Sequence, residues 1–208
     1  MPLVYQQNIN DFAKIGVWHI TEEESFFLTS TEKQSLIRHP EKRIQHQAGR
    51  FLLQHLEADF PLQEIQLQPN GKPFLISNSF HFSIAHSSRY AAAIISPALP
   101  VGIDIETVQP KIIQLSSKFL TAAESVVLNA VIADKASACT VGWCVKEAVF
   151  KWYGKGAVDF KQHIQVMEAE VQSNSELNIT VLFSKEDDIR LQLSVFNFPD
   201  MFLAWVVQ

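Results

Sequence analysis

From Ile164 onward the sequence falls into four apolar runs of strand character: Ile164–Val171, Leu177–Phe183, Ile189–Phe196 and Met201–Val207. Polar turns such as Ser173-Asn174-Ser175 and Ser184–Asp188 divide them. Turns this short suit antiparallel neighbours. Ahead of them stands a clear helix stop, Gly154-Lys155-Gly156,. Two helical segments lead up to it, Ser116–Ala133 and Ser137–Tyr153, broken near Asp134,. Helices followed by a meander of strands point to an α+β fold.

The earlier part reads in a similar order. Val17–Ile20 is a short strand, and Thr21 with Glu24 three residues on suggests a helix opening,. Apolar residues recur at helical spacing from Thr31 to Glu57, and Pro40 divides them into a short helix and a longer one over Glu41–Glu57,. Asn70-Gly71-Lys72-Pro73 has turn chemistry,. Phe80–His86, Tyr90–Ile95 and Val101–Glu106 are strand candidates, with Ser96–Pro100 the best boundary,. The expected architecture is two halves, 1–98 and 99–208, each with helices packed on a small antiparallel sheet.

Composition narrows the classes. Apolar residues make up 47%, with 15 Phe and 4 Trp, which is globular,. A formal net charge of −5 disfavours nucleic acid and anionic membranes as partners,. Any anion site must therefore be built from particular Lys and Arg side chains. Only two cysteines occur, Cys139 and Cys144, at no metal-binding spacing, so both are read as packing residues. Met1–Asn10 has no signal-peptide pattern and no apolar run is long enough for a membrane span, which gives a cytoplasmic expectation.

Four segments carry chemistry. In a strand over Val101–Glu106, Val101, Ile103 and Ile105 share one face, and Gly102, Asp104 and Glu106 share the other,. Two carboxylates beside a glycine suit a hard cation such as Mg²⁺ that also binds substrate phosphates. The same pattern suits a half-exposed strand with two solvated acids. On a helix, Trp143, Glu147 and Lys151 form one stripe, either a third carboxylate with a cation or an ordinary surface pair,. Ser83 and His86 lie close in sequence but point to opposite strand faces and lack a nucleophile elbow, which argues against a serine hydrolase,. Arg43 and Arg50 lie two helical turns apart and could grip a phosphate or form a solvated basic face,.

Taken in order, these pieces resemble the 4′-phosphopantetheinyl transferases of the larger, surfactin-synthetase-activating type. The matching blocks are Gly71-Lys72-Pro73, Phe82-Ser83-Ile84-Ala85-His86-Ser87, Gly102-Ile103-Asp104-Ile105-Glu106 and Trp143–Lys151, closed by Gly154-Lys155-Gly156. The resemblance implies that Asp104, Glu106 and Glu147 ligate Mg²⁺ together with the coenzyme A pyrophosphate. It implies that Lys151 neutralises that pyrophosphate and that His86 contacts a CoA phosphate. Gly71, Lys72 and Pro73 correspond to the turn lining the adenine, and Arg50 to the arginine for the 3′-phosphate, with Arg43 a second member. Ser116–Leu120, ahead of Glu124, is similar to the carrier-docking segment. Ala85 stands where the family has a serine, with Ser83 or Ser87 as substitutes.

The implied reaction is attack by a serine of an apo acyl or peptidyl carrier protein on the β-phosphate of coenzyme A. The products are holo-carrier and adenosine 3′,5′-bisphosphate. Glu147, on the helix facing the strand, is the expected base. The resemblance further implies a pseudo-dimer of two similar halves with CoA at their seam, so that a monomer suffices. The competing readings are a binding module that holds CoA or carrier without turnover, and a metal-dependent hydrolase.

Overall fold

The computed structural model describes residues 2–9, 12–28 and 37–208. The chain divides into two compact units, residues 1–101 with Val207, and residues 102–206 with Gln208. Both combine helices with antiparallel sheet.

In the first unit four strands, β1 (Leu3–Ile9), β2 (Ala13–His19), β5 (His81–Ser87) and β6 (Tyr90–Ser96), form a sheet in the order β1-β2-β6-β5. Helix α2 (Pro40–Leu56) packs against this sheet through Ala48, Leu52, Leu53 and Leu56, all buried. Pro40 occupies the first turn of α2, where its missing N–H costs nothing, so the proline starts this helix,. The short helix expected before Pro40 falls mostly on residues outside those described. Helix α1 is a single turn, Glu24–Phe27, and begins later than expected. Its N-cap is Glu23, without a side-chain cap, and Thr21 plays no capping part. What fixes α1 is aromatic packing, with Phe26 and Phe27 against Trp18 and Phe51. Strands β3 (Ile65–Leu67) and β4 (Pro73–Leu75) form a hairpin around the turn that holds Gly71.

In the second unit β7 (Val101–Thr107) and the four later strands form one five-stranded sheet. These are β8 (Ile164–Ser173), β9 (Glu176–Ser184), β10 (Asp188–Asn197) and β11 (Met201–Val207), ordered β7-β11-β10-β9-β8. The four late strands follow the apolar runs read from the sequence. The segment expected as one helix over Ser116–Ala133 differs. It is preceded by a single helical turn α3 (Ile112–Leu115) and comprises a 3₁₀ turn (Ser116–Lys118) and α4 (Ala122–Val131). Thr121 and Glu124 build a capping box that starts α4 afresh,.

Helix α5 (Lys135–Tyr153) is capped by the Asp134 side chain and ends at Gly154, whose φ of 69° is left-handed,. Its buried residues include Val141, Cys144, Val145, Ala148 and Val149. Among the described residues no helix is long and apolar enough to cross a membrane.

Helix α5 crosses β7 at Gly102. A Cβ there would meet the Ala148 carbonyl oxygen, and would stand 2.7 Å from Trp152 N and 2.9 Å from Trp152 Cβ. Two of these are backbone atoms near the C-terminal end of the helix and cannot readily yield. Gly102→Ala is therefore expected to lose about 3 kcal/mol of stability or fail to fold, read by urea unfolding against the parent protein.

Candidate functional site

Strand alternation puts Gly102, Asp104 and Glu106 on the face of β7 that α5 covers at Gly102,. Helical periodicity puts Trp143, Glu147 and Lys151 on one stripe of α5,. The two sets meet. Lys151 Nζ donates to Asp104 Oδ1 at 2.7 Å, with side-chain exposures of 26% and 7%. Asp104 Oδ2 is buried and has no hydrogen-bond partner. Burial pushes the Asp104 carboxyl above the usual range, against the pull of Lys151,. Glu147 is pushed up to about 7 by burial and by the Asp104 charge, with Glu106 adding to it and Lys151 opposing. Cys144 lies under the same charges, and burial holds its thiol protonated,.

Asp104 and Glu106 thus both act on Glu147, with Lys151 opposing them. As they stand, Asp104 is paired with Lys151, and among the described residues no three acid, His or Cys side chains are close enough to hold a metal ion. Their chemistry nevertheless fits one. An orphaned buried carboxylate oxygen, hard oxygen donors and a negative charge in excess of the single lysine are what a divalent cation would relieve,.

Next to this cluster is a cavity of about 680 Å³ whose lining includes Glu106, Lys118, Phe119, Trp143 and Phe160. Trp143 sits between two rings, 5.0 Å from Phe119 and 5.5 Å from Phe160 between centroids.

The first unit carries the other expected residues. Arg50 on α2 lies against the His46 ring, with Nη1 2.8 Å from Nδ1. His86, exposed near the end of β5, is close enough to act on His46 electrostatically. Arg50 and His86 both lie near His46. Arg43 is engaged elsewhere: Nε and Nη2 donate to the Glu24 carboxylate at 2.6 and 2.8 Å. Ser83 and Ser87 are buried. Lys72 and Pro73 line a separate cavity of about 160 Å³ with His81. Burial lowers the pKa of both Lys72 and His81.

Sequence reasoning passed over two groups. His46 sits one turn from Arg50, a spacing that was available. Lys146 was masked by its neighbour Glu147, yet it is fully buried against Glu124. A lysine among the apolar positions of α5 was the signal for a buried counterion.

Fold and site together define an α+β protein whose second unit carries acids and a lysine between a strand and the helix that crosses it. The chain belongs to the 4′-phosphopantetheinyl transferase superfamily, whose sequence model matches residues 100–205. It is 33% identical over 115 residues to a 4′-phosphopantetheinyl transferase of Bacillus pumilus, covering 52% of this chain and 49% of that protein. A Bacillus subtilis enzyme of the same description is 33% identical over 92 residues, covering 43% of this chain and 41% of that protein. One from Aneurinibacillus migulanus is 33% identical over 110 residues, covering 51% of this chain and 45% of that protein. The chain spans about half the length of the curated relatives it matches.

Burial, Arg50 and His86 depress the His46 pKa to about 4 from an ordinary 6.5. The unfolded chain takes up this proton near 6.5, whereas the folded chain stays neutral until about 4. Stability is therefore complete above 6.5 and declines as pH falls towards 4. His46→Gln is expected to flatten that part of the acid limb, measured as the urea midpoint against pH.

Proposed function

We propose that this protein transfers the 4′-phosphopantetheine arm of coenzyme A to a serine hydroxyl of an apo acyl or peptidyl carrier protein. One observation carries the reading. Asp104, Glu106, Glu147 and Lys151 converge within the very segment that matches the family.

The reaction asks for three things. The serine proton must leave as its oxygen attacks the β-phosphorus. The bond from that phosphorus to the bridging oxygen must break. Negative charge must be stabilised on the departing adenosine 3′,5′-bisphosphate. Glu147, on α5 one turn on from Trp143 of the cavity lining, is assigned as the acceptor of the serine proton,. Lys151 is assigned to the pyrophosphate, its ammonium group lying at the acids and available to the leaving oxygen,. Asp104, Glu106 and Glu147 are the residues that would hold Mg²⁺. When bound, the ion supplies neutralisation of the diphosphate charge. A single chain contains the whole set of acids.

Recognition is assigned to three groups. Arg50 and His86, with Ser83 or Ser87, take phosphate oxygens, since guanidinium and imidazolium groups are strong phosphate donors. Arg43 is held by Glu24 and could join only by exchanging that partner. Gly71, Lys72 and Pro73 take the adenine side. The carrier segment bearing the serine enters at Lys118–Leu120 and the aromatic cavity beside Glu106.

The test is to incubate the protein with CoA, Mg²⁺ and a panel of apo-carriers and weigh the carriers by mass spectrometry. The expected outcome is a gain of one phosphopantetheine arm, with Glu147→Gln slowing turnover by roughly 10²–10⁴. Release of phosphate, or of adenosine 3′,5′-bisphosphate with free 4′-phosphopantetheine, from CoA without any carrier would instead establish a hydrolase. CoA binding with no modified carrier would establish a binding module.

A further inference from the structure

The Lys146 side chain is 0% exposed and that of its partner Glu124 is 3% exposed, with Nζ 2.5 Å from Oε1. An ammonium group has three protons to place, and here all three have acceptors. Beyond Glu124, Nζ donates to the carbonyls of Phe160 and Ile164, each at 2.7 Å. A carboxylate has about four acceptor positions, and those of Glu124 are also filled. Oε1 additionally accepts from Val166 N at 3.0 Å. Oε2 accepts from Thr121 N at 2.7 Å and Thr121 Oγ1 at 2.9 Å. The network is closed.

What it joins matters more than its strength. Thr121 directly follows Lys118–Leu120, and Lys118 and Phe119 form one wall of the 680 Å³ cavity. Phe160 stands in the other wall, with Val158 and Asp159. Trp143, three residues before Lys146 on α5, lies between them against both Phe119 and Phe160. The segment carrying Phe160, between α5 and β8, has no helix or strand of its own. Its geometry depends on such donors. Buried ion pairs add little net stability over apolar residues of equal volume, because desolvation offsets their attraction. A pair with every donor and acceptor satisfied instead fixes positions.

We propose that Glu124 and Lys146 are positioning residues that set the spacing of the two cavity walls, and so the fit of the carrier segment beside Glu106. This rests on the reading of that cavity as the carrier's seat. Neither residue bonds Asp104, Glu106 or Glu147. Its loss acts through Phe119 and Phe160 and bears on carrier recognition, leaving CoA recognition intact.

The experiment compares the parent protein with Glu124→Gln and with Glu124→Gln/Lys146→Met, which removes both charges at similar volume. Initial rates give KM for CoA and for carrier, and hydrogen exchange reports residues 118–121 and 158–164. The expected result is a fall of roughly tenfold to a hundredfold in kcat/KM for carrier. The KM for CoA is unchanged, and amide protection is lost on both walls. A folded double variant with normal carrier kinetics overturns the proposal, as does an equal rise in both KM values. Should the double variant not fold, Glu124→Gln decides by the same readouts. Should the parent modify no carrier, the proposed function fails, and exchange still judges the pair. Lost protection on both walls of Glu124→Gln upholds the positioning role, and unchanged protection removes it.

Discussion

The close crossing of α5 over β7 at Gly102 is the constraint from which the rest of the second unit follows. A strand and a helix can approach this closely only where one residue lacks a side chain,. Once they do, alternation along β7 turns Asp104 and Glu106 toward the helix instead of toward water. The period of α5 then brings Glu147 and Lys151 to the same place. Asp104, which would be solvated on an open strand, is buried with one oxygen unpaired, and Glu106 is half-buried. The acid cluster is thus a consequence of helix–strand distance, and the glycine sets that distance.

The same helix carries two lysines with opposite fates. Lys146 faces the core and has every proton placed on a buried acceptor, so its charge is fully compensated. Lys151 faces the acids and is one cation among three carboxyls, so charge there is not compensated. Desolvation penalises both arrangements. A closed network tolerates that penalty and holds geometry. An unbalanced cluster tolerates it only with a further cation or a change of protonation, which is the property a phosphoryl-transfer site needs. Helix α5 therefore holds a fully paired lysine and an incompletely balanced one only a few residues apart.

Much of this was legible in the sequence, and the reasons differ by element. The four late strands were readable because each apolar run is bounded by polar turn residues, and pairing follows from short connections. The faces of β7 and the stripe on α5 were readable because both periods are fixed by backbone geometry. Strand β1 was not, since its exposed positions, Val4, Gln6, Gln7 and Asn8, show no clean alternation, and it gains its place by pairing with β2. Thr21 looked like an N-cap, yet burial of Phe27 beside Trp18 decided where α1 begins. Arg43 looked free to grip a phosphate until the fold brought Glu24 to it, 19 residues away in sequence. The Glu124–Lys146 pair was hidden for the same reason. Local pattern announces a face, and only tertiary structure announces a partner.

The departure at Ala85 can be weighed on the same geometry. Ser83, Ala85 and Ser87 alternate onto one face of β5, and all three are buried,. His86 projects from the other face and is exposed. Ala85 pairs in register with Ala92, which is also fully buried, in the small-residue run Ala91-Ala92-Ala93 of β6. A hydroxyl at 85 would therefore point away from His86 and into tight packing. Its absence removes a polar group from the buried face and leaves the exposed one, where His86 and Arg50 act together on His46, as it was. Ser87, at the last position of β5, sits where that buried face meets the turn at Ser88.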